Sequence, residues 1–144
     1  MKRCSQQRGG IEYCYLCEKY TCEKYDGIYT FDSFITHRNQ LKDFEKVKKI
    51  GIDSYQSELV EKIEILKYLL ANYNDERRKS FFCIAVNLLE LQDVTSVVEQ
   101  IATKTESDSI TLKEKAVLAA KLFQTMAAKR NIVLKLNKKT SKKQ

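Results

Sequence analysis

Helix-breaking residues are absent from most of this 144-residue chain. It has no proline, and its four glycines all lie between Gly9 and Gly51. Proline and glycine are the two residues that a helix interior tolerates least. The stretch from Ile52 onward contains neither of them and is therefore predicted to form an all-helical body.

The length and the apolar content of 43% suit one globular domain with a core of its own. We predict a mainly α fold, in which a bundle of about five helices carries a small, irregular, cysteine-rich metal-binding head at its N-terminus. The head covers residues 1–28 and the bundle residues 29–130. Residues 131–144 are predicted to be a short extended segment and a basic, lysine-rich tail.

Apolar residues recur at helical spacing in five segments: 30–49, 53–73, 76–91, 94–104 and 112–130. Thr30 or Asp32 is the expected cap of the first helix, and Asp93 is that of the fourth. A capping box at 111–114 precedes the fifth. The second has the clearest pattern, which predicts a buried face made of Tyr55, Leu59, Ile63, Leu66, Leu70 and Tyr73.

The third segment has the widest apolar face and is predicted to be the central, most buried helix, with its charged residues 75–79 in a solvated first turn. Residues 132–136 have the pattern of a strand, but no partner strand is evident in the sequence. Because an isolated strand is unstable, this segment is expected either to pair with the head or to pack as an extended tail.

The net charge of +7 is concentrated at the C-terminal end. Residues 129–144 hold seven lysines and arginines and no acidic residue, so residues 1–128 have no net charge. Lysine-rich termini are usually solvated, and we favour this interpretation over a contact with nucleic acid.

The first residues are polar and contain no apolar signal-peptide core, and no apolar run approaches the roughly 18 residues that span a membrane. The sequence therefore predicts a cytoplasmic location and no membrane partner. In that reducing compartment, clustered cysteines are more often metal-binding or catalytic than disulfide-bonded.

Four of the five cysteines are clustered in the head: Cys4, Cys14, Cys17 and Cys22. Two residues separate Cys14 from Cys17, which lets two thiolates reach one ion from a tight turn, and the flanking cysteines can complete a tetrahedron. A head of this size buries too little apolar area to order itself. A structural zinc ion held by all four thiolates is therefore the favoured interpretation.

Two other interpretations of the cluster stay open. An iron–sulfur cluster is also held by four thiolates. The cysteines can instead be free thiols, with Cys14 and Cys17 as a redox pair, although such pairs normally belong to a βαβ unit and none is evident here.

Two further residues with reactive side chains are given structural roles. Cys83 lies beside Phe81 and Phe82, where a thiol behaves as a small apolar group. His37, the single histidine, falls on the apolar face of the first predicted helix. We expect it to be a hydrogen-bonded residue at the edge of the core and favour this over a metal ligand or a base beside a thiolate.

Five of the eight tyrosines lie in the head or directly after it: Tyr13, Tyr15, Tyr20, Tyr25 and Tyr29. In a zinc knuckle, such rings can stack on unpaired bases. Few cations lie between them, however, so docking of the head onto the helices is the favoured role.

The stretch from Cys4 to Cys22, followed by Glu23 and Lys24, resembles the C-terminal half of an uncharacterised cysteine-rich microbial family, domain of unknown function 3795. Members have a lone cysteine, a short glycine-containing stretch, a C-x-x-C pair and a further cysteine followed by Glu-Lys. Residues 47–52, 72–75 and 79–83 also look like stretches of that family. The resemblance implies the metal and the architecture, but the family has no established activity.

The sequence departs from the family pattern in two places. The family usually begins with a further cysteine-rich segment that is absent here, so we expect a shortened member or a fragment. Thr21 stands where relatives often have proline before the last cysteine. If the absent segment supplies ligands in relatives, the set of four cysteines is incomplete.

Together these features predict a small zinc-binding helical protein that acts as a binding or regulatory module. A protein partner is expected ahead of a nucleic acid. The alternative is a nucleic-acid-binding zinc-knuckle module, and the third class is a thiol-redox or iron–sulfur protein. No glycine-rich phosphate loop, paired-carboxylate motif or second histidine is present, so we favour a non-enzymatic role.

Overall fold

The structure, a computed structural model, describes residues 2–106 and 109–139. Within these residues the chain is mainly helical and contains no strand, which confirms the predicted mainly α fold. This part of the chain contains six α-helices: α1 Lys2–Gln7, α2 Gln40–Ile50, α3 Ile52–Asn72, α4 Lys79–Leu88, α5 Leu91–Lys104 and α6 Leu112–Lys129. Two 3₁₀ turns, Cys14–Leu16 and Glu23–Tyr25, lie between α1 and α2. No helix in these ranges is long and apolar enough to cross a membrane.

The hydrophobic core lies between α3, α4, α5 and α6. Phe82 of α4 and Phe123 of α6 are fully buried in it, with their ring centroids 6.1 Å apart in an edge-to-face arrangement. α4 and α5 each contact the other three of these helices. Four of the ten residues of α4 are buried, a larger share than in α5 or α6, which agrees with the prediction of a strongly buried third helix. The inner face of α6 is built largely from Ala116, Ala119 and Ala127, whose small side chains let α5 pack closely against it.

Local signals set the limits of α3 and α6 to within one residue of prediction. The capping box at the start of α6 is confirmed: the Glu114 backbone N–H donates to Thr111 Oγ1 at 3.3 Å, and the Thr111 backbone N–H donates to Glu114 Oε2 at 2.9 Å. These hydrogen bonds satisfy N–H groups that the helix itself leaves free.

The predicted limits of α4 were wrong at both ends, since it spans Lys79–Leu88 and not 76–91. The charged residues before it form a loop, in which Arg78 pairs with Asp75 and the Arg78 backbone N–H donates to Asn74 Oδ1 at 3.3 Å. These side-chain contacts give the loop an alternative to helical hydrogen bonding.

The predicted cap of α5 was also wrong. The helix begins at Leu91, and Asp93 lies within its first turn and is buried. Arg130, just after α6, holds this carboxylate in a two-pronged contact, Nε to Oδ2 at 2.9 Å and Nη2 to Oδ1 at 2.6 Å. A buried carboxylate needs such a partner, and here it comes from 37 residues away.

The first predicted helix was wrong over residues 30–39, because α2 begins only at Gln40. Asp32 does not cap a helix at this point. Its Oδ1 accepts the His37 backbone N–H at 3.2 Å, and its Oδ2 accepts the Asn137 backbone N–H at 2.8 Å. Long-range hydrogen bonds to the C-terminal segment therefore keep this stretch irregular, and Phe34 within it is 88% exposed.

The C-terminal segment packs as an extended tail, the second of the two predicted arrangements, with Leu134 buried. Arg38 Nη2 donates to the Val133 and Lys135 carbonyl oxygens at 2.9 and 2.7 Å. These hydrogen bonds satisfy the two carbonyl oxygens, which in a strand would accept hydrogen bonds from a partner strand. Residues 140–144, which complete the predicted lysine-rich tail, lie outside the described residues.

The N-terminal half of α3 is poorly covered, contrary to its predicted buried face. Leu59 and Ile63 are 38% and 51% exposed, whereas Leu69 is fully buried. α3 has 21 residues and α4 only 10, so the two helices are about 31 and 15 Å long. The shorter helix cannot cover the whole apolar stripe of the longer one.

An ion-pair network joins α2, α3 and the α4–α5 junction. Glu90 Oε1 lies 2.5 Å from Lys42 Nζ, its Oε2 lies 2.8 Å from Lys46 Nζ, and Lys46 also pairs with Glu58. Burial acts to raise the pKa of Glu90, but the hydrogen bonds from Lys42 and Lys46 outweigh it and lower that pKa to about 2.

We expect Glu90→Gln to lower the free energy of unfolding at pH 7 and to reduce its dependence on pH between about 4.5 and 2. The pKa of this carboxyl is lower in the folded than in the unfolded chain, so its stabilisation is complete above pH 4.5 and is lost as the pH falls toward 2. Denaturant unfolding at a series of pH values measures both effects. Glu64→Gln, at an exposed site on α3, is the control, and parallel curves for wild type and Glu90→Gln would contradict the assignment.

Candidate metal centre in the cysteine-rich head

The head, residues 2–28, is less irregular than predicted. Cys4 lies on α1, Cys14 opens the first 3₁₀ turn, Cys17 follows it, and Cys22 directly precedes the second. α1 ends before Gly9 and Gly10, which have φ values of +76° and +77°. Glycine adopts this left-handed conformation without the steric cost that other residues meet, so the pair permits the chain reversal after α1.

Short-range hydrogen bonds then fold the chain back on itself. Across the reversal, the Gly10 backbone N–H donates to the Ser5 carbonyl oxygen. The Ser5 hydroxyl donates to the Ile11 carbonyl oxygen. The Cys17 backbone N–H donates to the Cys14 carbonyl at 3.0 Å, which closes the tight turn of the C-x-x-C pair. α1 and this turn are thereby brought together.

All four cysteines of the head border one cavity of about 560 Å³. Each is half-buried, and each is a free thiol. The Arg8 guanidinium joins two of them. Its Nη1 lies 3.6 Å from Cys17 Sγ. The pKa of Arg8 is raised, first by a side-chain hydrogen bond to Cys4 and then by the charge of Cys17. The structure therefore brings the four predicted ligands around a common space beside a fixed positive charge.

The thiols do not form a coordination sphere in this conformation. Among the described residues, no group of three or more Cys, His, Asp or Glu side chains is placed to hold a metal ion. The predicted zinc site stays a prediction, and what the structure adds is the shared cavity and its surroundings.

The environment of the Tyr25 hydroxyl indicates whether the cysteine cavity is suited to thiolates. Its side chain is buried, and its hydroxyl has no hydrogen-bond partner among the described residues. Burial, and then the neighbouring Cys14 thiol, raise the pKa of Tyr25, and Cys22 also contributes. A buried O–H without an acceptor is costly, and a thiolate next to it would be that acceptor. The residues present therefore fit a site with anionic sulfur.

The tyrosines of the head pack on the helical body, which confirms their predicted docking role. The ring centroids of Tyr15, Tyr20 and Tyr25 lie 5.8, 5.8 and 6.4 Å from that of Phe44 on α2. Lys48, one turn further along the helix, places its Nζ 4.4 Å from the Tyr20 ring centroid. Phe44 is thus the aromatic anchor of the head.

His37 lies outside the cysteine cavity, in a turn and not on the helix where it was predicted. Its ring Nε2 is 3.4 Å from Ser33 Oγ and the residue is half-buried, which agrees with a hydrogen-bonded residue at the edge of the core. Cys83, on α4, is also half-buried and borders a different cavity.

Two contributions to the site were missed from the sequence: Phe44 as the aromatic anchor of the head, and the Tyr25 hydroxyl beside the cysteines. Arg8 is near enough to the cysteines in sequence to be expected to offset the charge of a thiolate site, and its Nη1 lies 3.6 Å from Cys17 Sγ. Phe44 carried no signal for its role, since its partners Tyr15, Tyr20 and Tyr25 are distant in sequence.

Comparison with known proteins finds no matching family model, no matching curated protein and no matching solved structure. The resemblance to domain of unknown function 3795 is neither supported nor contradicted by this result and stays a prediction.

We expect Phe44→Ala to release the head and to lower the free energy of unfolding by about 2 kcal/mol. The substitution removes three aromatic contacts and the apolar packing of the Phe44 ring. Denaturant unfolding measures the stability, and limited proteolysis measures access to residues 2–28. Phe34→Ala removes the same side chain from an 88% exposed position and should change stability by less than about 0.5 kcal/mol. Equal effects of the two substitutions would show that Phe44 does not anchor the head.

Proposed function

We propose that the head binds one zinc ion through Cys4, Cys14, Cys17 and Cys22, and that the protein is a small binding or regulatory module with a structural metal site. One observation carries the proposal: the thiols of Cys4 on α1, of Cys14 and Cys17 in one tight turn, and of Cys22 all border the same cavity. Thiolates at C-x-x-C spacing are typical zinc ligands, and four of them form its usual closed, tetrahedral site.

The head has little else to hold it in place. Of residues 3–28, only Tyr25 is buried, so burial of apolar surface contributes little to ordering this segment. A structural zinc ion contributes roughly 10–16 kcal/mol of apparent binding free energy in small peptides, which is ample to order a segment of this size.

Charges around the cavity suit the proposed site. Four thiolates and one Zn²⁺ carry a net charge of −2, and Arg8 already contacts Cys17 and neighbours Cys4. The Tyr25 hydroxyl is positioned beside Cys14, where it can donate to a thiolate sulfur. Second-sphere donors of this kind are a regular part of metal sites.

A site with four thiolate ligands has no open position for a substrate, which favours a structural over a catalytic role. Free thiols in all five cysteines agree with the reducing, cytoplasmic setting that the proposal assumes. The tyrosines weigh against a nucleic-acid-binding knuckle, because Tyr15, Tyr20 and Tyr25 already pack on Phe44.

We expect about one zinc per chain in protein purified without added metal or chelator, and loss of that zinc in Cys17→Ser. The variant should keep most of its helical circular dichroism, because the core lies in α3–α6. Elemental analysis with a visible spectrum measures the metal, and limited proteolysis reports the order of the head. Cys83→Ser, which removes a thiol outside the head, is the matched control and should retain the zinc.

Other outcomes decide against the proposal. Unchanged metal content and stability in Cys17→Ser would show that the cysteines do not bind zinc. Iron with a brown absorbance would replace zinc by an iron–sulfur cluster on the same ligands.

A further inference from the structure

A second cavity, of about 520 Å³, lies away from the four cysteines of the head, along α3 and α4. The irregular segment at 34–36 and Leu136 of the C-terminal segment also border it. One part of its wall is apolar: Phe34, Ile35, Leu59, Ile63, Leu66 and Ile84. Cavities of this size with mainly apolar walls are typical of small-molecule sites.

Part of this apolar wall is exposed to solvent. Phe34, Ile35, Leu59 and Ile63 are all exposed large apolar residues, and they border the same concave surface. Contiguous apolar surface in contact with water is unfavourable, and it is usual at a binding site. An apolar ligand would cover the part of α3 that α4 is too short to reach.

The other end of the cavity is charged. Its lining includes Asp43, Lys46, Glu58, Lys62 and Glu90. Most of these groups already have a partner. Glu58 and Glu90 both pair with Lys46. Burial raises the pKa of Asp43, and the neighbouring Tyr55 hydroxyl acts in the opposite direction.

Lys62 is the exception at this end. Its Nζ donates to the Leu89 carbonyl at 2.6 Å, and no carboxylate of the described residues lies within 4 Å of it. An ammonium group has three N–H donors, so two are left for another acceptor. Burial lowers the pKa of Lys62, although the more distant charges of Glu90 and Asp43 act in the opposite direction.

The polar end therefore offers a cation with spare donors, while Glu58 and Glu90 are engaged by Lys46 and Lys42. Lys42, which pairs with Glu90 from outside the cavity, adds a further positive charge. The cavity lining as a whole has no net charge, since Lys46, Lys62 and Lys79 balance Asp43, Glu58 and Glu90, so the attraction for an anion rests on the spare donors of Lys62. An anionic group at Lys62 is the complement that this arrangement favours.

We propose that this cavity binds a small monocarboxylic acid with an apolar body, its carboxylate on the Lys62 ammonium and its apolar part along Ile63, Leu66 and Ile84. The ligand carboxylate replaces the missing ion-pair partner of Lys62. Its chain covers the exposed stripe of α3. Asp43 repels the ligand carboxylate and so limits the affinity. Removing the charge of Asp43 should therefore strengthen binding, whereas removing the charge of Lys62 should weaken it.

The test uses the full chain and three probes that share an eight-carbon chain: octanoate, octylamine and octanol. Binding is measured by isothermal titration calorimetry and by NMR shifts of the methyl groups of Ile63 and Ile84. Octanoate is expected to bind at least tenfold more tightly than octanol, because a charge-assisted hydrogen bond is gained, and octylamine is expected to bind more weakly still.

Substitutions then locate the charge. Lys62→Met keeps the length of the side chain and should weaken octanoate binding at least tenfold while leaving octanol binding unchanged. Lys67→Met changes the same residue type on the exposed side of α3 and should have no effect. Asp43→Asn should strengthen octanoate binding, and Ile63→Trp should abolish binding of all probes by filling the cavity.

The outcomes separate the proposal from its rivals. Equal binding of octanoate and octanol would show unspecific apolar contact, and tighter binding of octylamine would make Asp43 the anchor. Either result, or no binding of octanoate, overturns the proposal. Circular dichroism tests whether each variant folds. If Lys62→Met does not fold, the proposal is still tested by the expected increase in octanoate affinity in Asp43→Asn and its loss in Ile63→Trp.

Discussion

The packing of α3–α6 around Phe82 and Phe123 is the interaction on which the other parts of the molecule depend. It is the only extensive apolar core within the described residues, and Ile132 and Leu134 of the C-terminal segment pack into it. That segment, in turn, gives Asp32 and Arg38 their backbone partners. The irregular stretch before α2 is thus positioned by a core to which it contributes almost nothing, and the aromatic residues of the head pack on Phe44 of α2, which follows that stretch.

The difference in length between α3 and α4 explains why ionic groups and exposed apolar residues lie side by side along the N-terminal half of α3. α3 is twice as long as α4, so its N-terminal half must find other partners. On one side it finds α2, through Glu58 with Lys46 and Tyr55 with Asp43. The remaining apolar side of that half faces a cavity. Such an arrangement costs stability if left in contact with water, which is why we regard this region as functional and not as an imperfection of packing.

The head illustrates a different solution to the problem of too little core. It has one buried side chain, a few backbone turns and an aromatic contact with Phe44, yet it carries four thiols around a common cavity. In our proposal, a metal ion supplies in one site the ordering that apolar burial cannot supply in a segment of this size. Arg8 and the Tyr25 hydroxyl are the kinds of group that such an ion's thiolate shell requires, and both are present before any ion is considered.

The sequence by itself determined the features that rest on neighbouring residues. Absence of proline and glycine made the body helical, the capping box set the start of α6, and the spacing of Cys14 and Cys17 marked the tight turn. Only the tertiary structure decided that residues 30–39 are not helical, that Leu59 and Ile63 face a cavity, and that Arg8 joins two cysteines. The reason is physical: helix propensity and capping act within a few residues, whereas Asp32, Asp93 and Lys62 owe their surroundings to groups 27 to 105 positions away, which periodicity does not reveal.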